Sequence, residues 1–475
     1  MLEQQTFETE QAEAVEERDE STQVSKSGRI RIPLWGWVAR AVMLVGLIVI
    51  VCYNLSVGLR YSDPLVVYST LMPLHTLLIF SVAWLFFKSE AKGRLDDELV
   101  SVIIPVYNQQ QMIENVVDSI FESSYGKIEV IAVNDGSTDG TRELLDELAL
   151  RYPEMKVIHK ENGGKRTAVA KGFYSSKGKY VVLIDSDSIV DKYAIEELVK
   201  TFTANPRVGG VVGNGKVWNS NENILTRCQS AWYDYSFNIH KSCESVFGAV
   251  LCCSGCLAAY RREAIAEYIP YWAESSIQYS DDRALTIYAI AEPWAKKELA
   301  PIQQRLMKSM AGYDDSEDRG LTAQTLVSWE TLYVPTAVVY TEVPVTLKKY
   351  LRQQLRWKKG YLRSNFFVSA FFWSKNPLMA LIFYLEFMTT FTSPIIIFTI
   401  FLYGPLFLKE TMLPITFIAG QIIVGLAAGL DNKARDKDSE NWKYNPLMNV
   451  FLSLFLTWLI VPAILTFREK KWLTR

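Results

Sequence analysis

Two long apolar runs near the N-terminus constrain the fold of this chain most strongly. Ala41–Leu59 and Pro64–Phe87 contain no Asp, Glu, Lys or Arg. Because about 20 apolar residues cross a bilayer as a helix, each run predicts a transmembrane helix. Further apolar runs at about 377–408, 413–430 and 447–467 predict a second membrane region. The polar sequence between the two regions is expected to fold outside the membrane.

Basic residues indicate which side of the membrane the polar middle region occupies. They precede the first run and follow the second: Lys26, Arg29, Arg31, Lys88, Lys92 and Arg94. Cytoplasmic flanks of transmembrane helices are enriched in Lys and Arg. The pattern predicts a multi-pass plasma-membrane protein whose middle region is cytosolic. Pro462 is expected to break the last apolar run so that it turns back, because proline disrupts a helix interior.

The patterns divide the chain into six parts. We expect a disordered acidic tail at residues 1–28, two transmembrane helices at 29–90 and an α/β domain at 98–345. Amphipathic interface helices are expected at 346–375, a C-terminal membrane region at 376–467 and a basic cytosolic tail at 468–475. The net charge of −2 gives no reason to expect a nucleic-acid partner. The apolar runs make the lipid bilayer the first expected partner.

The six cysteines predict neither disulfides nor a structural zinc site. Five of them lie in the predicted cytosolic part, where thiols stay reduced. Cys243, Cys252, Cys253 and Cys256 lie near His240 in the sequence, but they lack the paired C-x-x-C spacing of structural zinc. Buried or substrate-lining thiols are the preferred interpretation.

The middle region alternates between predicted strands and predicted helices. The strands are expected at 99–108, 128–137, 155–160 and 179–188, and the helices at 112–121, 141–152 and 167–176. This alternation predicts a mostly parallel sheet with helices on both faces, in which ligands bind at the carboxyl ends of the strands. Three strands end near Asn108, Asp135 and Asp185, so these groups should share one crevice.

Asp185 and Asp187 stand one residue apart at a predicted strand end. Mg²⁺ and Mn²⁺ prefer oxygen ligands and commonly bridge protein carboxylates to phosphate oxygens. Two carboxylates in this position therefore fit a divalent cation beside a nucleotide sugar. Taken alone, the pair is explained better by two solvated acids at a polar strand end. The motifs elsewhere in the chain make the metal-binding interpretation the preferred one.

Six motifs occur in the order seen in membrane-embedded processive family 2 glycosyltransferases: PVYN (105–108), NDGSTDGT (134–141), GGKR (163–166), DSD (185–187), EDRGLT (317–322) and QQLRW (353–357). The chain resembles the hyaluronan synthases and the chitin and chito-oligosaccharide synthases of that family. The resemblance implies a GT-A-type, Rossmann-like cytosolic α/β domain with flanking transmembrane helices. It also implies a UDP-sugar donor, a growing polysaccharide as acceptor, and Mn²⁺ or Mg²⁺ as cofactor.

The resemblance assigns several motif residues to the donor. Asp187, helped by Asp185, would hold the metal. Tyr107 would stack on the uracil, and Asp135 would accept a hydrogen bond from it. Positive charge for the diphosphate would come from three residues: Lys165, Arg166 and Arg356.

Other motif residues are implied for the acceptor. Trp357 would form a flat floor for the acceptor sugar, next to Gln353 of the same motif, and Cys252 would line the acceptor site. A plainer interpretation of Trp357 is an aromatic anchor at the membrane interface.

The catalytic base has two candidates in the sequence. SDDRALT contains Asp282 and SEDRGLT contains Asp318. The family takes the acceptor proton with the aspartate of this motif. Asp318, flanked by Glu317 and Arg319, is preferred because the sequence after it leads into QQLRW without a gap; Asp282 is the alternative. Replacement of Asp318 by Asn is expected to abolish transfer while UDP-sugar binding survives.

These features together predict a processive inverting β-glycosyltransferase, a hexosyltransferase. It would polymerise sugar from UDP-GlcNAc, alone or with UDP-glucuronate, into a hyaluronan- or chitin-type polysaccharide and export it through its own membrane helices. Glu386, inside an apolar run, is explained equally well by a polar export channel and by a helix end at the interface. Two other functions stay open: single-sugar transfer to a membrane lipid carrier, and a nucleotide-sugar-binding scaffold without catalysis.

Overall fold

The computed structural model describes residues 32–61, 70–88, 93–274, 281–296 and 327–466. Its centre is an eight-stranded sheet in the order β3-β2-β1-β4-β7-β6-β8-β5. The strands are β1 Val100–Val106, β2 Ile128–Asp135, β3 Met155–Lys160, β4 Tyr180–Leu183, β5 Ser188–Val190, β6 Val208–Val217, β7 Ala258–Arg261 and β8 Glu330–Thr341.

Helices surround this sheet and extend away from it. In chain order they are α1 Leu34–Tyr61, α2 Leu71–Leu85, α3 Ile113–Phe121, α4 Thr141–Arg151, α5 Lys165–Ser175, α6 Ala194–Ala204, α7 Ile224–Tyr235, α8 Ser242–Val246, α9 Arg262–Ile265, α10 Ile269–Glu274, α11 Asp281–Ile290, α12 Leu347–Phe371, α13 Pro377–Phe398, α14 Met412–Arg435, α15 Asn445–Leu454 and α16 Ile460–Leu465. A π-helical segment, Ser236–Lys241, joins α7 to α8, and another, Thr399–Leu408, continues α13.

The first half of the sheet is parallel and the second half is mixed. Strands β3, β2, β1 and β4 are all parallel, as the alternation of strands and helices predicts. Strand β7 is antiparallel to both β4 and β6, and β5 is antiparallel to β8. The α/β fold class is therefore confirmed, with a sheet that is less parallel than expected. The pattern of apolar residues identifies strands, whereas strand direction depends on distant pairing.

The core lies on both faces of the parallel half. Val102, Ile103 and Ile104 of β1 are fully buried, as is Val181 of β4. Helix α5 packs on β1 and β2, and helix α6 packs on β6 and β8. Strands covered on both faces read as continuous apolar runs, which explains why VVLI at 181–184 has no polar alternation.

Three described helices are long and apolar enough to cross a membrane. They are Leu34–Arg60, Pro377–Leu408 and Met412–Arg435. The predicted run at Pro64–Phe87 contains the shorter apolar helix α2, and its residues 64–69 lie outside the described ranges.

The last apolar run is bent, and the bend lies before Pro462. Helix α15 and the segment Leu456–Leu465 meet at an angle of 43°, and a 3₁₀ turn covers Leu456–Leu459. Proline removes the hydrogen bond to the carbonyl four residues earlier, which here is that of Trp458 within the 3₁₀ turn. The bend itself lies at Phe455, seven residues or about two helical turns before Pro462. The two pieces count as one further candidate span if taken together.

Buried polar contacts fasten the α/β domain to the candidate membrane helix α14. Asp234, near the end of α7, accepts hydrogen bonds from Lys216 Nζ at 2.5 Å and from Asn432 Nδ2 at 2.8 Å. It also accepts one from Asn441 Nδ2 at 2.5 Å. Lys216 lies on β6 and Asn432 on α14, and Asp234 is 1% exposed. One buried carboxylate thus joins the sheet, a domain helix and a membrane helix.

Candidate active site

The loops that follow β1 and β2 are locked together at the carboxyl edge of the sheet. Asn108 Oδ1 accepts a hydrogen bond from Thr138 N at 2.8 Å, and Asn108 N donates to Ser137 Oγ at 3.0 Å. Asn108 has φ of 52°, a conformation that asparagine tolerates better than most residues. Tyr107, just before it, is half-buried at the same edge. Two of the three strand ends predicted to share one crevice therefore meet at this edge.

Asp135 holds the glycine loop that follows β3. Its Oδ1 accepts hydrogen bonds from Lys160 Nζ at 2.6 Å and from Gly163 N at 2.9 Å, and its Oδ2 accepts one from Gly164 N at 2.8 Å. Gly164 has φ of 93°, which side-chain-bearing residues rarely adopt. These contacts fix the N-terminus of α5, where Lys165 begins the helix.

Lys165 brings two carboxylates together at the end of β4. Its Nζ lies 2.5 Å from Asp185 Oδ1 and 3.4 Å from Asp282 Oδ1. Gly255 N donates to Asp282 Oδ2 at 3.0 Å, and Asp185 N donates to Gly255 O at 3.0 Å. A Cβ at Gly255 would lie 2.7 Å from Lys165 Nζ and 2.8 Å from either oxygen of Asp282. A side chain at position 255 would therefore displace the Lys165 ammonium or the Asp282 carboxylate from its present place.

Arg166, predicted to contact the diphosphate, contacts protein groups in the structure. Its side chain is buried, bonds Asp281 through Nε, and donates from Nη1 to Trp272 O at 3.3 Å. Trp272 Nε1 in turn donates to Asp281 O at 2.9 Å. Arg166 thus anchors the first turn of α11, and this anchor positions Asp282, the next residue.

Asp187 fits a cation ligand. Burial, and then the neighbouring charge of Asp185, raise the pKa of Asp187 to about 7, while Ser188 Oγ lies 3.2 Å from its carboxylate. Because this recessed carboxylate has only the weak contact with Ser188 to stabilise its negative charge, a positive charge beside it would be favourable. In the described part of the chain, no group of three or more His, Cys, Asp or Glu side chains could hold a metal by itself. Asp187 and Asp185 offer carboxylate oxygens, which fit a divalent ion that takes its remaining ligands from phosphate oxygens and water.

The site residues predicted on QQLRW, for the acceptor and for the diphosphate, lie on one helix. Gln353, Arg356 and Trp357 are half-buried on α12. The Trp357 ring stacks on Trp232 of α7, with centroids 5.8 Å apart and planes 24° apart. Trp232 was not among the predicted site residues, because an aromatic residue on a short amphipathic helix is ordinarily a core residue.

Cys252, predicted to line the acceptor site, lies close enough to Asp282 to interact with it electrostatically. It is half-buried, and it also interacts electrostatically with Lys241. Its carbonyl accepts a hydrogen bond from Lys241 Nζ at 2.5 Å. Cys253 and Cys256 are buried in the core, as the preferred interpretation of the cysteines expects.

The structure describes only one of the two candidate base motifs. Asp282 lies in the site, whereas Asp318, Glu317 and Arg319 lie outside the described residues. Sequence reasoning ranked Asp282 second and missed Asp281 and Gly255 altogether. Their signals were present, since both acids stand in SDDR and Gly255 stands in GAVLCCSGC. Neither signal indicated that these segments meet Lys165.

Comparisons with known proteins show which family the α/β domain resembles. Residues 101–269 match the Glycosyl transferase family 2 model. A hyaluronan synthase of Streptococcus pyogenes is 29% identical over 318 residues, which cover 64% of this chain and 67% of the relative. An N-acetylglucosaminyltransferase of Azorhizobium caulinodans is 28% identical over 389 residues, which cover 79% of this chain and 87% of the relative. The predicted resemblance is confirmed.

A solved structure shares the fold. A mannosyltransferase from Pyrobaculum calidifontis, in complex with GDP-Man and Mn²⁺, aligns with a TM-score of 0.53 at 17% identity, covering 91% of this chain and all of that one. The GT-A-like architecture predicted from the motifs is therefore confirmed.

Proposed function

We propose that this chain, whose residues 101–269 match the family 2 glycosyltransferases, extends a saccharide processively from a UDP-sugar. The donor is UDP-GlcNAc, alone or with UDP-glucuronate, and the product is a polysaccharide of hyaluronan or chitin type. The observation that carries the proposal is the meeting of Asp185, Lys165 and Asp282 at the end of β4. The sequence relatives named above support the choice of sugar class.

The donor would lie along the carboxyl edge of β1, β2 and β4. Tyr107 offers a ring for the uracil, and Asp135 shapes the loop beside it. Lys165 and Arg356 would face the diphosphate, whose negative charge grows as the bond to the sugar breaks. Asp187 and Asp185 would hold a divalent cation, which when bound supplies charge neutralisation to that leaving group.

Asp282 is the proposed catalytic base. Burial raises the pKa of its carboxyl, which Lys165 and Gly255 hold in place. A raised pKa brings a carboxylate closer to the basicity that proton abstraction requires. The acceptor hydroxyl oxygen would bond to the anomeric carbon, its proton would pass to Asp282, and UDP would leave with the electrons of the broken bond. A single displacement of this kind inverts the anomeric centre.

The acceptor chain would rest on Trp357 and leave towards the membrane helices. An aromatic ring presents an apolar face to the apolar face of a sugar, which permits binding without fixing one register. The adjoining candidate spans give the chain a route across the bilayer, with the α/β domain in the cytosol and the protein in the plasma membrane. The alternative is the transfer of one sugar to a lipid carrier, and analysis of the product distinguishes the two.

The test uses the full-length protein in nanodiscs with Mn²⁺ or Mg²⁺ and labelled UDP-sugars. We expect polymer from UDP-GlcNAc, alone or together with UDP-glucuronate. Asp282→Asn should lower the transfer rate at least about 100-fold while UDP binding is retained, because a positioned base contributes about 10²–10⁴-fold. Asp318→Asn is the matched control for the second motif. An active Asp282→Asn enzyme beside an inactive Asp318→Asn enzyme would assign the base to Asp318, and a lipid-linked monosaccharide as sole product would contradict processive transfer.

A further inference from the structure

A line of hydrogen bonds runs from the surface of the α/β domain to the loop that follows β1. It begins on α4, where Asp146 Oδ1 lies 2.9 Å from His159 Nε2. His159 Nδ1 lies 3.0 Å from Asn134 Nδ2, and Ser137 N donates to Asn134 Oδ1 at 2.9 Å. The last link is the hydrogen bond from Asn108 N to Ser137 Oγ at 3.0 Å. The histidine has no part in the catalytic roles proposed above.

Strand pairing places His159 beside Asn134. The two residues are partners in the register of β2 and β3, and α4 packs on β3. Asn134 is 2% exposed, and a buried amide that loses a hydrogen bond is costly. The His159 side chain is 21% exposed. His159 can therefore exchange a proton with solvent while it contacts a buried group.

The backbone determines which proton His159 carries. Because Ser137 N–H can only donate, the atom of Asn134 that faces it is the amide oxygen. The amide nitrogen of Asn134 then faces His159 Nδ1, and since this nitrogen also can only donate, Nδ1 is the acceptor. In this arrangement His159 is neutral, with its proton on Nε2 and directed towards Asp146.

Protonation of His159 would break this arrangement. An imidazolium donates from both nitrogens, so Nδ1 and the amide nitrogen of Asn134 would oppose each other as two donors. A flip of the amide would only move the conflict, because its nitrogen would then face Ser137 N. In either case Asn134 loses one of its two hydrogen bonds. Asn134 directly precedes Asp135 and closes the turn at residues 134–137.

Opposing influences act on the protonation of His159. The charged groups around it are Asp146 on α4, with Arg142 and Glu143 about one turn before it, and the Asp135–Lys160 pair at the next register position of β2 and β3. Asp146 favours the imidazolium, but it is 59% exposed, so solvent screens its charge. The donor of Asn134 opposes the imidazolium at close contact. Histidine changes charge between about pH 5 and 8, so this conflict falls in the physiological range.

We propose that His159 is a positioning residue for the nucleotide-sugar donor and acts through Asn134. The neutral imidazole holds the turn that adjoins Asp135 and, through Asn108, the loop of Tyr107. The imidazolium releases that turn, so donor affinity falls as the pH falls. The inference rests on the proposed function and deepens it, because it adds to the donor site a residue outside the six motifs.

The test uses the full-length protein in nanodiscs with saturating Mn²⁺ or Mg²⁺, and it measures UDP affinity and sugar transfer between about pH 5.5 and 8. His159→Phe removes the acceptor of Asn134. It should weaken UDP binding about tenfold near pH 7.5, which is 1.4 kcal/mol and fits the cost of an unpaired buried donor. The kcat at saturating UDP-sugar should stay near the wild-type value, as expected when a change acts on binding alone.

His159→Asn separates the positioning role from a purely structural one. An asparagine oxygen can take the place of Nδ1 and accept from Asn134, but it does not titrate. UDP affinity should match the wild type near pH 7.5 and exceed it at least about threefold near pH 5.5. Every other titrating group, including Asp187 and UDP itself, is the same in both proteins. Lys156→Gln, at an exposed cation of β3, is the control and should follow the wild type at each pH.

The outcomes distinguish this inference from the proposed function. If the wild type transfers sugar but its pH profile for UDP coincides with that of His159→Asn, the inference is overturned and the proposed function stands. A loss in His159→Phe that lies in kcat alone would also overturn it. If His159→Phe does not fold, the profile of His159→Asn still decides, because that variant keeps the hydrogen bond. A wild-type protein that neither binds UDP nor releases it from any UDP-sugar would overturn the proposed function itself.

Discussion

Gly255 shows how closely the candidate site is packed at the level of single atoms. A methyl group there would collide with Lys165 Nζ and with the carboxylate of Asp282. Gly255→Ala should therefore lower the transfer rate at least about tenfold, because the base would be displaced and small misplacements are costly in catalysis. Steady-state transfer assays measure the effect. Gly126→Ala is the control, since nothing lies within 4 Å of a Cβ at Gly126; equal losses in both variants would contradict the account.

A prediction about the divalent cation concerns Asp187, its proposed ligand. Chelation should abolish transfer, and added Mn²⁺ or Mg²⁺ should restore it. Asp187→Asn should require at least about tenfold more cation for half-maximal activity, because an ionised ligand contributes much of the affinity for a divalent ion. Glu154→Gln, at an exposed acid away from the site, should behave like the wild type. Full activity of the chelated wild type would contradict the cation role of Asp187.

Residue roles were harder to predict than residue identities. Asp135, Lys165, Asp185 and Asp187 could all be named from their motifs, and the structure gathers them at one edge of the sheet. The contact of Arg166 with Asp281 could not be predicted, because only the fold brings the two residues together across 115 positions of the chain. Two copies of one short motif carry the same local pattern, so the sequence alone leaves both candidate bases open.

At the scale of elements, local patterns predict the strands and helices well. The expected strands and helices between residues 99 and 188 all occur, within a few residues of their predicted ends. The reversed directions of β5 and β7 had no local signal, because β5 pairs with β8, about 150 residues away along the chain. The bend before Pro462 shows the same limit of local prediction on a smaller scale. The proline is visible in the sequence, whereas the position at which the helix bends depends on packing.

A prediction at the scale of elements concerns the buried contacts of Asp234, which join the sheet to helix α14. Asp234→Asn would leave Lys216 without its carboxylate beside a membrane helix. Breaking a buried ion pair by removing one partner costs about 3 kcal/mol, so the midpoint of thermal inactivation in nanodiscs should fall. Asp97→Asn removes the exposed ion pair with Lys127, and it should leave the midpoint unchanged. Indistinguishable midpoints for the two variants would contradict the role of Asp234 as a junction.

At the scale of the whole molecule, the arrangement joins chemistry to the membrane. The proposed donor residues lie at the edge of the sheet, and the proposed acceptor floor at Trp357 adjoins a cavity among the candidate membrane helices. The α/β domain is tied to helix α14 by Asp234 and Asn432. A saccharide extended in such a site can move on by one unit without leaving the protein, which is the physical basis of processive synthesis.

The measurement that tests this central claim most directly follows chain length at early times. Protein in nanodiscs receives labelled UDP-sugars and a large excess of acceptor oligosaccharide, and products are sized after the first few turnovers. The account predicts a few long chains among unextended acceptors, with a length that does not depend on the acceptor-to-enzyme ratio. A ladder in which every acceptor grows by one sugar at a time would contradict it.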